Sequence, residues 1–277
     1  MVQPIDDPGS IAAISPHLDD AVAGCGAVLA GAPGSTVITV FAGVPDASAP
    51  LTDWDRRCGF GDGTSAMKWR LAEDDKALHL LKAHPVRMPF LDDQYLRAMA
   101  RATPKVDKVA QALDTALEKA GARTVLFPLG LFHSDHTLVS DAVLHMFTAR
   151  PARRWIAYED ALYRTKPGLL HARLVQFYTR GISLTPVAFA NTNAHRKATA
   201  MSAYGSQMPE LGITRNEGDT TAPERYWLLS ESIKQAPESV GAAGGNPGTG
   251  QPTGERPAEG QRTSAGPARP ATTPPRP

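Results

Sequence analysis

An excess of charge is the first thing missing from this sequence. Lys and Arg number 29 and Asp and Glu 28, a formal net charge of +1. No global field therefore draws the chain to nucleic acid or to an anionic membrane surface. Apolar runs that could cross a bilayer are missing as well. None approaches the roughly 20 residues of a spanning helix, so no membrane insertion is expected. The first eight residues have neither a basic segment nor an apolar core, unlike a secretion signal. Cysteine is scarce: Cys25 and Cys58 stand alone. With no export signal, a reducing cytoplasm is the expected setting, and whether the two thiols pair is left open. Aromatic residues stop before residue 237, and nine of the 24 prolines lie from Pro237 onward. Residues 236–277 are thus expected to form a disordered Pro/Gly-rich tail, too poor in apolar surface to fold, after a single domain over 1–235.

What the sequence has is an alternation. Apolar, β-branched runs at 11–14, 35–43, 86–91, 124–129 and 155–158 read as strands. Helical stripes fall between them. One covers 65–83 through Met67, Leu71, Leu78 and Leu81, and another runs through Val106, Val109, Leu113 and Leu117 to a stop at Gly121. This spacing predicts an α/β fold with a three-layer, doubly wound, mostly parallel sheet of Rossmann-like type. Residues 174–189 read as a smaller β-rich excursion, 194–211 as helical, and Tyr226-Trp227-Leu228-Leu229 as the last apolar patch. A long loop over 44–64 carries Trp54, Arg56, Arg57 and Phe60, and its length and aromatic and Arg content favour a functional loop over a disordered one.

Two strand ends carry the reactive side chains. The first leads into Ser15-Pro16-His17-Leu18-Asp19-Asp20-Ala21, an imidazole and two adjacent carboxylates on a tight turn before a small-residue helix. In open α/β sheets this edge is where ligands bind. A lone Asp here would simply cap the helix. The fuller string lets His17 and Asp20 aim at one centre, with Asp19 free beside them. The fourth strand leads into His133-Ser134-Asp135-His136. Asp135 again suits the positive end of a helix dipole, but two histidines at a second strand end point to a metal shared between the turns. Two imidazoles and a carboxylate leave a fourth position open, the pattern of a catalytic rather than a structural zinc. Gly24-Cys25-Gly26 imitates part of a dinucleotide fingerprint, yet it falls a turn inside the helix and reads as close helix–sheet packing.

These two motifs resemble a known family. Pro16-His17-Leu18-Asp19-Asp20 is similar to the Ala/Pro-His-Pro-Asp-Asp-Glu signature of the LmbE-like, or PIG-L, zinc-dependent N-acetylglucosaminyl deacetylases, and His133-Ser134-Asp135-His136 to their His-Pro-Asp-His motif. Arg70 with Glu73, and Lys197 with Gln207 in the 193–207 segment, share the likeness, which spans about 11–229. Leu18 and Ala21 depart from the signature and place the substrate, more than the chemistry, in question. The resemblance implies that His17, Asp20 and His136 hold Zn²⁺, that Asp19 is the general base and that His133 assists the tetrahedral intermediate. The chemistry implied is hydrolysis of a linear amide, removing an acetyl or other acyl group from the 2-amino group of an amino sugar conjugate. Family substrates include phosphoinositol-linked glucosamine, thiol precursors and sugar-bearing antibiotics. The Ala, Gly, Pro and Arg content suits a GC-rich bacterial source and specialised metabolism. Arg70, Asp92, Asp93 and Trp54 are the candidates for substrate binding. Two competing readings are a metal phosphoesterase, which usually wants two metals and bridging carboxylates, and a non-catalytic zinc-binding interaction domain with the tail as its arm. Oligomeric state and acyl length are not legible.

Overall fold

The computed structural model describes residues 2–150, 152–210 and 223–232. Its elements are β1 (Gln3–Ile5), β2 (Ile11–Ser15), α1 (Asp20–Gly31), β3 (Thr36–Thr39), α2 (Asp53–Arg57), α3 (Gly63–Leu81), β4 (His84–Arg87), α4 (Asp93–Ala98), α5 (Val106–Ala120), β5 (Thr124–Pro128), α6 (Ser134–Phe147), β6 (Arg154–Tyr158), α7 (Leu169–Thr179), β7 (Ile182–Phe189), α8 (Ala194–Met201) and β8 (Tyr226–Glu231). The strands form one eight-stranded sheet in the order β1-β7-β8-β6-β5-β2-β3-β4.

The apolar strands dictate the centre. β2 and β5 are buried along their whole length, as strands covered on both faces must be. They pair in parallel, with Ala12 opposite Val125 and Ala13 opposite Leu126. Their alternating side chains feed two core layers. Ala13, Val37, Leu126 and Ile156 pack beneath Val22 and Val28 of α1, Leu78 and Leu81 of α3 and Met201 of α8. Ala12, Ile14, Val125 and Phe127 pack on the other face, beneath Leu113 and Leu117 of α5, Val139 and Val143 of α6 and Phe177 of α7. The three-layer α/β expectation is borne out. From β2 the chain winds one way through β3 and β4, and from β5 it winds the other way to β6. The crevice at the carboxyl ends of β2 and β5 is therefore the topological switch point, where such sheets bind ligands.

Several boundaries differ from the sequence reading. Residues 174–179 finish helix α7, whose Leu170, Arg173 and Phe177 follow a helical period with Arg173 and Phe177 buried. Only 182–189 is strand, and β7 is no separate excursion. It enters the main sheet, parallel to β1 and antiparallel to β8, while β8 pairs antiparallel with β6. The third strand starts earlier, at His84, and α8 ends at Met201. The 44–64 loop contains the short helix α2 and the start of α3, which Asp62 caps through the Ser65 amide. Both cysteines are free thiols. The expected tail over 236–277 lies outside the described residues. Among the described residues no helix is long and apolar enough to cross a membrane.

Candidate active site

Two strand-to-helix turns build the floor of a cavity of about 330 Å³. In the first, the Ser15 hydroxyl donates to the His17 carbonyl (2.5 Å) and accepts from the Ala21 amide (2.9 Å). The His17 amide donates to Asp20 Oδ2 at 2.8 Å. Ser15 thus takes up an amide at the start of α1 and Asp20 closes the turn, while the Asp19 side chain, at the N-cap position, makes no cap hydrogen bond. In the second turn, His133 caps α6 through Nδ1, which accepts from the Asp135 amide at 3.2 Å. A ring whose Nδ1 accepts carries its proton on Nε2 when neutral.

The two turns meet at one oxygen. Asp20 Oδ2 lies 3.0 Å from His17 Nδ1 and 3.1 Å from His136 Nε2. The other nitrogen of each ring is held by a second carboxylate: His17 Nε2 sits 3.0 Å from Asp135 Oδ2, and His136 Nδ1 sits 2.5 Å from Asp160 Oδ1. Those carboxylates are fixed in turn. Asp135 Oδ2 also accepts from the Asp93 amide, and Asp160 Oδ2 accepts from the Gly130 and Leu131 amides. Gly130 has φ +82, and a Cβ there would come within 2.9 Å of Ser140 Cβ, so only glycine presents its amide this way.

The donor set fits a zinc ion. A carboxylate oxygen and two imidazole nitrogens lie within 4.8 Å of one another, and each ring has a carboxylate orienting its outer nitrogen, the arrangement typical of metal-ligating histidines. His17, His133 and Asp135 also fall within that distance. There the Asp93 amide and His17 Nε2 already engage Asp135 Oδ2, while Asp135 Oδ1 is buried without a hydrogen-bond partner.

Electrostatics agree with a cation at this point. Burial works against a charged His136, yet Asp20 and Asp160 outweigh it and push its pKa up to about 10. Burial also opposes charge on His17, and Asp92, Asp135 and Asp20 still raise it well above its ordinary value. Asp20 is held far down against its own burial by the two imidazoles. Asp19 goes the other way: burial, then the neighbouring Asp20, push it up to about 6. His133 is lowered by burial and by His17.

The substrate candidates are placed as follows. Arg70 lines the cavity but is only 3% exposed, its guanidinium 2.7 Å from Asp55 and 3.4 Å from the Tyr95 hydroxyl. Asp92 lines the cavity and caps α4 through the Gln94 amide. Asp93 bonds Ser134 Oγ and pairs with Arg97, and it is not among the cavity-lining residues. Trp54 lines the cavity with the Arg57 guanidinium 5.3 Å over its ring. Sequence reasoning missed Asp160, which follows β6 at the same sheet edge. It also missed Tyr163, whose ring meets His136 edge-on at 5.4 Å. A carboxylate just past a third adjacent strand end was the available signal.

Residues 12–147 match the PIG-L family, GlcNAc-PI de-N-acetylase. No curated protein matches the chain. Among solved structures, the antibiotic A40926 pseudoaglycone deacetylase is 26% identical, with a TM-score of 0.65 over 83% of this chain and 100% of its own. A triple mutant of a deacetylase from the teicoplanin biosynthetic pathway is 24% identical, with a TM-score of 0.66 over 82% and 100%. A zinc-inhibited form of teicoplanin deacetylase is 23% identical, with a TM-score of 0.66 over the same shares.

Proposed function

We infer, for a chain whose residues 12–147 belong to the PIG-L family, a zinc-dependent hydrolase that removes an acetyl or other acyl group from the 2-amino group of an amino sugar conjugate. The observation that carries this is the convergence of two carboxylate-tethered imidazoles on Asp20 Oδ2, with Asp19 beside them and unspent on capping. Neighbours that act in a teicoplanin pathway and on an A40926 pseudoaglycone support a sugar-bearing specialised metabolite as the conjugate. Residues 1–235 constitute the catalytic unit of this reading.

His17, Asp20 and His136 would hold the metal. Bound zinc supplies Lewis-acid polarisation of an amide carbonyl and brings the pKa of water to about 7. The chain's own residues do the rest. Asp19, buried yet lining the cavity, takes a proton from the attacking water. It later returns that proton to the departing amine. His133 directs Nε2–H toward the oxygen on which negative charge develops. Asp135 and Asp160 keep the two ligand rings in the tautomer that offers a lone pair to the centre. Asp92 and Trp54, which line the cavity, meet the sugar and its aglycone, with Arg70, buried and paired with Asp55, behind them.

Acetate release from a panel of N-acetylglucosamine conjugates, by metal-stripped and zinc-reloaded protein, tests the reading. Acetate is expected only after reloading. Phosphate release from a phosphomonoester in its place, or zinc uptake with no hydrolysis at all, would move the chain to one of the competing readings.

A further inference from the structure

Helix α1, which carries Asp20 in its first turn, is broken in the middle. Cys25 has φ −142 and ψ 19, outside the helical region. In an unbroken helix the Ala27 amide would donate to the Ala23 carbonyl. Instead an ion pair fills the gap. Lys197 Nζ, from α8, donates to the Ala23 carbonyl at 2.7 Å. Glu224 Oε1 accepts from the Ala27 amide at 2.9 Å. The two charges lie 2.8 Å apart, with side chains only 3% and 6% exposed. The Tyr226 hydroxyl holds the other carboxylate oxygen of Glu224.

The surrounding sequence accommodates the wedge. A Cβ on Gly26 would stand 3.0 Å from Lys197 Cγ, so glycine leaves room for the lysine stem. A Cβ on Gly24 would fall 2.4 Å from the Tyr158 ring, so glycine lets the helix settle on β6. On the near side of the break, the first turn closes through the Ala23 amide onto the Asp19 carbonyl at 2.9 Å. The residue that accepts the lysine is therefore the same one that closes the turn bearing the two carboxylates.

We propose that Lys197 and Glu224 are positioning residues whose ion pair, inserted into the backbone ladder of α1 at Ala23 and Ala27, sets the pitch of the turn that presents Asp19 and Asp20. This rests on the reading of that turn as the metal and base site. A buried ion pair is a poor choice for stability alone, because apolar replacements of similar size often serve as well or better. Its value here is geometric: it keeps α1 from closing into a straight helix, which would rotate the first turn against the fixed rings of His17 and His136.

The double substitution Lys197→Met/Glu224→Met removes both charges and leaves Ala23 and Ala27 free to bond each other. A merely structural pair predicts a folded protein with unchanged turnover. Positioning predicts a folded protein with unchanged or higher Tm, zinc affinity lowered about 10-fold or more in a competition titration, and kcat lowered by about 10- to 100-fold with KM little changed. A folded double variant with native zinc affinity and kcat overturns the proposal. Should the double variant fail to fold, Glu224→Gln and Glu224→Asp decide. Gln keeps the reach to the Ala27 amide and Asp keeps only the charge, so Gln should retain more zinc affinity and more kcat than Asp. Equal values, or the reverse order, overturn it. Asp20→Ala is the control: if that variant still binds zinc as the native chain does, it is the metal-site reading that has failed, not the wedge.

Discussion

The two turns that form the floor of the candidate site use their polar side chains differently. In the turn between β5 and α6, His133 caps the helix, Asp135 holds His17, and His136 is clamped by Asp160. Every one of these groups is bound in place by the protein itself. In the turn between β2 and α1, His17 and Asp20 are bound likewise, but the Asp19 side chain, at the N-cap position, makes no cap bond. The contrast separates holding from acting. In the proposed function the groups tied on both sides hold the centre, and Asp19, with its pKa pushed up to about 6 by burial and by Asp20, is the carboxylate assigned to exchange a proton near neutral pH.

Breaking the holding side has the largest expected effect. Asp20→Ala removes the oxygen that both rings face, so zinc binding and acetate release should disappear together. Breaking the acting side should be severe but cleaner. Asp19→Asn keeps the shape and cannot accept a proton, so kcat should fall by on the order of 10²–10⁴-fold in a chain that still binds zinc. The support of the holding side should matter less than the ligands it supports. Asp160→Ala frees the outer nitrogen of His136 and should weaken zinc affinity by about 10- to 100-fold, read by competition with a chelator. The smallest effect lies outside both turns. Trp54→Ala should lower kcat/KM for a large conjugate by about 2- to 10-fold, with less change for a simple N-acetyl sugar. An equal loss on both would show that this part of the long loop does not discriminate.

Much of the floor was legible because it is local. His17 and Asp20 share one turn, His133 and His136 another, and continuous apolar strands put both turns at the same sheet edge. What the sequence hid depends on contacts across long separations. Asp160 has no motif around it and gains its role only because β6 lies beside β5. In the sequence Arg70 is a candidate for substrate binding, but Asp55, fifteen residues earlier on α2, pairs with its guanidinium and both are buried. The strand β1 is only three residues long and exists through β7. The break in α1 is invisible in a run of small and apolar residues, because the groups that meet its open carbonyl and amide are a lysine on α8 and a glutamate just before β8.

The most direct test is the zinc content per chain of Asp19→Asn and Asp20→Ala, measured side by side after identical reloading. The account predicts close to one zinc in the first, without turnover, and essentially none in the second. A reversed pattern, with metal lost from Asp19→Asn and kept by Asp20→Ala, would contradict it.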